Sequence, residues 1–172
     1  LMTRRILTFA LFESQSILSE EQVKFLDKYT KGKWLLNPSN GLVDVDGYID
    51  FRGKKLVDMK GIRFGSVRGN FSCSDNNLTS LEGAPQEVGG YFNCSGNELI
   101  SLEGAPQKVG GGFYCSDNKL TSLEGAPQKV GEDFYCSDNK LTSLEGAPQK
   151  VGEDFYCSDN KLTSLEGAPQ KV

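Results

Sequence analysis

The sequence predicts a β-rich solenoid with one parallel sheet, one short strand per 21-residue turn, and a helix over its N-terminal end. Two observations support this fold class. A 21-residue unit recurs, whole or in part, five times within residues 71–172, and the copies at 113–133 and 134–154 are identical. Each of the four complete units also contains Gly-Ala-Pro and Val-Gly, which leave no room for a helix between them. Repeats of this length are typical of solenoids in which each unit forms one turn.

The order of apolar residues within a unit predicts how the turns stack. Phe113 and Cys115 lie two residues apart, so their side chains leave the same face of a strand. One short strand cannot bury this face, whereas turns stacked about 4.8 Å apart place each Phe on the next Phe and each Cys on the next Cys. Every repeat position then forms a column that runs along the molecule.

The chain divides into three parts. Residues 71–172 hold the five 21-residue repeats. Residues 43–70 form a divergent capping repeat, in which Ile49 and Phe51 take the places of the Phe and the Cys of later units. Residues 1–42 are an N-terminal segment that contains the capping helix.

The capping helix is predicted at about 19–30. Ser19 followed by Gln22 has the spacing of a capping box, and Gly32 is predicted to end the helix. Leu26 lies on the apolar stripe that we expect to face the first turn. A terminal turn exposes both core and strand edges, so a cap of this kind is required.

The composition excludes several classes of protein. The 172 residues include no histidine, which removes the commonest general base and metal ligand and the usual Ser-His-Asp or Cys-His nucleophiles. The Asp and Glu columns are repeated rather than differentiated into an acid and a base, as acid–base catalysis requires. We therefore expect no enzymatic activity, no cofactor and no metal.

The charge distribution bears on the partners. Residues 1–70 carry 12 Lys and Arg against 8 Asp and Glu, a balance of +4, and residues 71–172 carry 7 against 15, a balance of −8. Phosphate binding needs local positive charge, which residues 71–172 lack. Residues 1–70 could bind nucleic acid weakly, but their positive balance is typical of ordinary solubilising charge, so we expect no nucleic-acid partner. No apolar run approaches the ~18 residues of a membrane span, so we expect no membrane partner.

The repeat resembles a known family. The unit F-x-C-S-x-N-x-L is similar to the leucine-rich repeat core L-x-L-x-x-N-x-L, and its length lies within that family's range. The resemblance implies that Phe113 and Cys115 occupy the inward strand positions. It also implies that Asn118 turns the chain after the strand and that Leu120 is the next core leucine. The family's first leucine falls on Gly110, so we expect the start of the strand to differ. The family implies an architecture rather than a biochemical activity.

Two stretches resemble proteins of phages and bacteria. Residues 1–12 and the Glu-Ser that follows them are similar to the opening of structural or head-associated proteins of large tailed phages. The phrase LTSLEGAP is similar to phage and bacterial reading frames. The apolar run in residues 1–12 is short for a secretory signal, so we expect an amphipathic anchor that packs on the cap. The expected location is cytoplasmic, in a reducing compartment, or virion-associated.

Two columns are predicted to hold the interior together. The asparagine column supplies amide donors and acceptors to backbone groups at the turn. The cysteines are expected to be buried thiols, because their number is odd and no CxxC spacing occurs. Disulfide pairing between turns, which lie within disulfide reach, and a soft-metal site are the alternatives. The columns are Asn76, Asn97, Asn118, Asn139 and Asn160, and Cys73, Cys94, Cys115, Cys136 and Cys157.

A third set of columns is the candidate binding face. Tyr114 lies between Phe113 and Cys115, so its side chain must leave the outer face of the sheet. Aromatic rings flanked by polar groups are typical of recognition surfaces, and the alternative is a ladder that only covers the sheet. An Asp column could also attract a divalent cation, although no compact calcium loop is visible. The predicted face comprises Tyr114, Tyr135, Tyr156, Asp117, Asp138, Asp133, Asp154, Ser116 and Ser137.

These columns predict a non-catalytic protein-recognition module that presents its Tyr, Asp and Ser face to a protein partner. The alternative function is structural assembly, as a virion component or filament, through open ends of the solenoid. Phe155, Cys157 and Leu162 belong to the last turn, and no polar substitute follows them. Either the natural chain continues past Val172, or the open edge of this turn pairs with another chain. The second alternative predicts a homo-oligomer through the uncapped C-terminal turn.

Overall fold

The structure, a computed structural model, describes residues 18–172. The anchor predicted over residues 1–12 lies outside the described residues. The helix α1 spans Glu20–Tyr29 and begins with the predicted capping box, which is confirmed. The Gln22 backbone N–H donates to Ser19 Oγ at 3.2 Å, and the Ser19 N–H donates to Gln22 Oε1 at 2.8 Å.

Twelve strands follow α1 in the described part of the chain. The two longest, β1 at Thr30–Leu36 and β2 at Val43–Asp50, pair antiparallel. The others are β3 Phe64–Val67, β4 Phe71–Ser72, β5 Glu87–Val88, β6 Phe92–Asn93, β7 Lys108–Val109, β8 Phe113–Tyr114, β9 Lys129–Val130, β10 Phe134–Tyr135, β11 Lys150–Val151 and β12 Phe155–Tyr156.

The short strands form two parallel ladders that both start from β2. The valine ladder consists of β3, β5, β7, β9 and β11, and the phenylalanine ladder of β4, β6, β8, β10 and β12. Val43 and Val45 pair with β3, whereas Ile49 and Asp50 pair with β4. Partners within the repeats lie 21 residues apart, so the repeat positions form columns. The predicted solenoid is confirmed, and each turn carries a second short strand.

The interior is a stack of apolar columns. From β4 to β12 the phenylalanine rings stack with centroids 5.3–5.6 Å apart and planes within 30° of parallel. Each inner turn adds a Cys, two Leu, an Ala and a Val to the buried core; in one turn these are Cys115, Leu120, Leu123, Ala126 and Val130. Because each turn buries this face on its neighbours, the repeats stabilise one another.

A helix and an edge strand together close the N-terminal end. The Phe25 ring of α1 lies 4.8 Å from the Phe51 ring, and Leu26 is completely buried. Gln22 Nε2 donates to the Lys60 carbonyl at 2.9 Å, which ties the helix to the first turn. Beside it, β1 pairs with β2 and so protects a strand edge that would otherwise be open. The helix was predicted from the sequence, and β1 was not.

The predicted extent of the helix, to about residue 30, is confirmed, but the prediction that Gly32 ends it is wrong. The helix α1 ends at Tyr29, and Thr30 is already extended, with φ −90° and ψ 133°. The Thr30 N–H still donates to the Leu26 carbonyl, so the chain passes directly from helix to strand. Gly32 lies inside β1, opposite Gly47 of β2.

The last turn is the most exposed of the repeats. Leu165 is 71% exposed and Val172 is 61% exposed, whereas Phe155 and Leu162 are half-buried. The association of this turn with a second copy stays a prediction. Among the described residues, no helix has the length and apolar character to cross a bilayer.

Candidate binding surface

The predicted tyrosines form a ladder on the outer face of the phenylalanine ladder. The ring centroids of Tyr114 and Tyr135 are 5.1 Å apart, and those of Tyr135 and Tyr156 are 4.7 Å apart. Both pairs meet edge to face, the arrangement that the charge distribution of aromatic rings favours. Tyr114 and Tyr135 are half-buried by this contact, and Tyr156 is 48% exposed.

Sequence reasoning missed a fourth tyrosine, Tyr91. It lies one place before its phenylalanine, in the column of Asp133, yet its ring centroid is 6.0 Å from that of Tyr114. The contact depends on Gly112, which takes this place in the turn of Tyr114. A Cβ on Gly112 would lie 2.4 Å from Tyr114 Oη, so the ring of Tyr114 occupies the space left free there. The signal in the sequence was the replacement of this Asp by Gly in a single repeat.

Carboxylates border the tyrosine ladder on the side of the preceding bend. Asp133 and Asp154 lie next to each other, and the Asp154 backbone N–H donates to Asp133 Oδ1 at 3.2 Å. Desolvation, and then the negative charge of Asp133, raise the pKa of the Tyr114 hydroxyl. The same two causes, in the same order, raise the pKa of Tyr135. The phenol groups therefore lie in a negative electrostatic potential.

The predicted Asp117 and Asp138 have a conformational role at the other edge of the surface. Their φ values are 53° and 54°, in the left-handed region that Asp tolerates better than most residues. Gly96 takes the same place in an earlier turn, with φ 66°. Their exposed carboxylates remain at the edge of the surface, while the backbone conformation accounts for an Asp or Gly in this column.

The serines lie between the tyrosines and this edge. Ser116 and Ser137 are half-buried, and Ser158 Oγ donates to Ser137 Oγ at 3.1 Å. We define the tyrosine surface as Tyr91, Tyr114, Tyr135 and Tyr156 with the flanking Asp133, Asp154, Ser116 and Ser137.

The asparagine column joins neighbouring turns beneath this surface. Asn118 Nδ2 donates to the carbonyls of Cys94, Cys115 and Ser116 at 3.0–3.2 Å. Its Oδ1 accepts the Leu99 N–H of the preceding turn at 3.0 Å. The same pattern repeats at Asn97, Asn139 and Asn160. Each amide therefore satisfies backbone groups of two turns.

The cysteine column lies next to the stacked phenylalanines. All five cysteines are free thiols; Cys73, Cys94, Cys115 and Cys136 are completely buried, and Cys157 is half-buried. Desolvation raises the pKa of Cys73 and Cys136 to about 12. The Sγ atoms of Cys115 and Cys136 each donate to a tyrosine carbonyl of the next turn at 3.3 Å. These thiols are protonated at neutral pH and pack as small apolar groups.

Residues 18–172 contain no grouping of three or more Cys, Asp or Glu side chains arranged to hold a metal ion. Comparison of the chain with protein-family models, with curated proteins and with solved structures finds no match.

Proposed function

We propose that the protein is a non-catalytic protein-recognition module that binds its partner through the tyrosine surface. One observation carries the proposal: four tyrosine rings in mutual contact are directed outward on a sheet whose other face is the core. Tyrosine supplies a large contact area with few rotatable bonds and a polar hydroxyl, which suits it to protein interfaces. The stacked turns hold the rings in fixed register.

The polar groups around the rings support recognition rather than mere coverage of the sheet. Asp133 lies within electrostatic range of the phenol groups of Tyr114 and Tyr135, and Asp154 within range of that of Tyr135. From Gly131 to Asn139 the chain contains no Lys or Arg that would neutralise them. Carboxylates at the rim of an aromatic patch favour partners of complementary charge and speed their encounter. Structural assembly through the solenoid ends stays the alternative prediction.

The experiment is affinity capture with the full chain from a lysate of the cells that make it. The same capture is run with the Tyr135→Ala/Tyr156→Ala variant and with Ile100→Ala, a control at an apolar side chain that is 64% exposed and outside the surface. Truncation of central aromatic residues weakens interfaces by about 2 kcal/mol or more, or roughly thirtyfold. We expect the tyrosine variant to lose a partner that the control retains, with both variants folded by circular dichroism.

The purified partner is then titrated calorimetrically against each variant. Tyr135→Phe keeps the ring and should retain most of the affinity. A partner that binds the double tyrosine variant as tightly as the unaltered chain would exclude this surface.

A further inference from the structure

A groove runs along the outer face of the valine ladder, outside the tyrosine surface. It consists of three segments of about 810, 520 and 440 Å³. Gly89 lines the first two segments, and Lys129 lines the second and the third, so the segments are continuous.

The floor of the groove is a column of glycines that the backbone packing requires. A Cβ on Gly110 would lie 2.3 Å from the Gly89 carbonyl oxygen, and one on Gly131 would lie 1.8 Å from that of Gly110. Gly89 and Gly152 are equally restricted by the turns before them. Because these positions cannot carry side chains, no side chain of the floor fills the groove in the part of the chain that the structure describes.

One column of outward side chains stands beside the glycine floor. Strand pairing places these positions side by side, and Ser66 Oγ donates to Asp44 Oδ1 at 2.8 Å. In order along the solenoid, the column is Leu35, Asp44, Ser66, Glu87, Lys108, Lys129, Lys150 and Lys171. Its first half is apolar, polar and acidic, and its second half is entirely lysine.

The charges of this column are only partly compensated within the chain. Lys108 Nζ lies 2.5 Å from Glu87 Oε1, where the two halves meet. In the described part of the chain, Lys129 and Lys150 have no ion-pair partner, although they stand directly opposite each other on paired strands. Like charges opposite each other on neighbouring strands destabilise a sheet. The lysine half therefore favours a partner that supplies acidic groups at the same spacing.

The charges of this column are complementary to those of the same column in a second copy that runs in the opposite direction. When a second copy is turned end for end about the point between Glu87 and Lys108, each Glu87 faces the other copy's Lys108. Each Asp44 then faces a Lys150, each neutral Ser66 faces a Lys129, and the exposed Leu35 faces the stem of Lys171. All eight positions are matched, and no two like charges oppose each other.

We propose that two copies of the protein associate antiparallel through this groove, by pairing the acidic half of each column with the lysine half of the other. Such a contact is isologous and closes as a two-fold dimer. The spacing favours a second copy over an extended acidic peptide. Side chains on one face of a peptide strand repeat every ~6.6 Å, whereas the column repeats every ~4.8 Å. Another copy of this chain has the same repeat.

The expected dimer is weak and sensitive to salt. A strip of eight strands about 34 Å long and five residues, or about 16 Å, wide covers roughly 500 Å² per copy. Stable interfaces bury about 800 Å² per partner, and exposed ion pairs are screened by salt. The dimer should therefore populate at low salt and high protein concentration and dissociate in about 0.5 M salt.

The test is sedimentation velocity of the full chain with charge-reversal variants. Glu87→Lys and Lys108→Glu each turn two attractive contacts of the dimer into repulsive ones, and each should weaken the dimer about tenfold or more. The doubly exchanged variant, Glu87→Lys/Lys108→Glu, keeps the internal pair and the net charge and should dimerise again. An equimolar mixture of the two single variants should also dimerise, because their contacts become complementary.

The matched control is the Glu98–Lys119 pair. It joins the same residue types 21 positions apart and lines none of the groove segments. Reversing the charge of either residue should therefore leave the dimer intact. A chain that stays monomeric at low salt would overturn the proposal. A dimer that the Glu87→Lys variant retains, or a mixture of single variants that stays monomeric, would overturn it as well. Monomeric protein that instead binds a soluble polyanion such as tripolyphosphate would assign the lysines to a different ligand. None of these outcomes affects the proposed role of the tyrosine surface.

Discussion

Gly32 of β1 and Gly47 of β2 lie directly opposite each other, and neither position has room for a side chain. A Cβ on Gly32 would lie 2.2 Å from the Asp46 carbonyl oxygen, and one on Gly47 would lie 1.9 Å from that of Lys31. Both residues have positive φ, at 119° and 156°. This contact allows β1 to cover the edge of β2, so the N-terminal cap depends on it.

The first prediction concerns this contact. Gly32→Ala should lower the free energy of unfolding by about 2–4 kcal/mol, because it adds backbone strain and a collision with the partner strand. Gly53→Ala is the matched control, since Gly53 also has positive φ, at 64°, but no atom within 4 Å of its Cβ position. The control should cost only about 1–2 kcal/mol. Urea unfolding measures both, and equal losses would contradict the collision.

The asparagine column provides the second prediction. Asn139→Ala should lower the free energy of unfolding by about 3 kcal/mol, because buried backbone groups of Leu120, Cys115 and Cys136 lose their partner. The control is Asn77→Ala in an earlier unit, where Asn77 follows Asn76 of the column but is exposed. This substitution should leave the free energy of unfolding nearly unchanged. Thermal unfolding measures the difference. Similar stability of the two variants would show that water replaces the amide.

Stability at alkaline pH provides the third prediction. Burial raises the pKa of Cys73 and Cys136 to about 12 and that of Cys94 and Cys115 well above the ordinary value. Above about pH 8.5 the unfolded chain therefore loses thiol protons that the folded chain retains. Fewer protons bound in the unfolded state mean that the free energy of unfolding falls as pH rises, by about 1.4 kcal/mol per pH unit for each thiol.

Urea unfolding between about pH 8.5 and 10.5 tests this slope. In the Cys94→Ala/Cys115→Ala variant, the free energy of unfolding should fall less steeply with pH, because the contribution of two thiols is removed. Val109→Ala, which destabilises the core but keeps every thiol, should retain the full slope. An unchanged slope in the double variant would refute protonated thiols in the folded chain.

The fourth prediction concerns the potential at the tyrosine surface. Asp133→Asn should lower the pKa of both Tyr114 and Tyr135, because the Asp133 charge raises both. Asp154→Asn should lower the pKa of Tyr135 and leave that of Tyr114 unchanged. Titration followed by NMR of ¹³Cζ-labelled tyrosine resolves the individual rings. Equal effects of the two substitutions on both tyrosines would show that the carboxylates act only through the net charge.

The repeated part of the molecule could be predicted from the sequence because its period is regular. Phe113 and Cys115 recur at the same spacing in each unit, so stacking is the arrangement that buries all copies at once. The outward direction of Tyr114 follows from alternation along a strand. The second strand of each turn escaped prediction because a two-residue Lys-Val segment is too short to show a period.

The divergent first part could not be predicted in the same way. β1 has no counterpart in the repeats, and its pairing with β2 depends on the close approach of Gly32 and Gly47. The contact of Tyr91 with Tyr114 joins residues of two different columns. Such a contact cannot be predicted from the repeat, because the repeat indicates only which residues share a column. The mixed charge of the groove likewise depends on residues outside the regular pattern, Asp44 and Ser66 of the first part and Glu87 of the first repeat, where later repeats have Lys.

The period, the stacked columns and their inward or outward direction follow from the amino-acid sequence, because identical units with the same apolar spacing have one common way to bury their apolar side chains. The closure of the first turn and the columns that border a groove follow from the three-dimensional fold. Those features depend on contacts between segments that share no pattern, where the fit of backbone against backbone determines the arrangement.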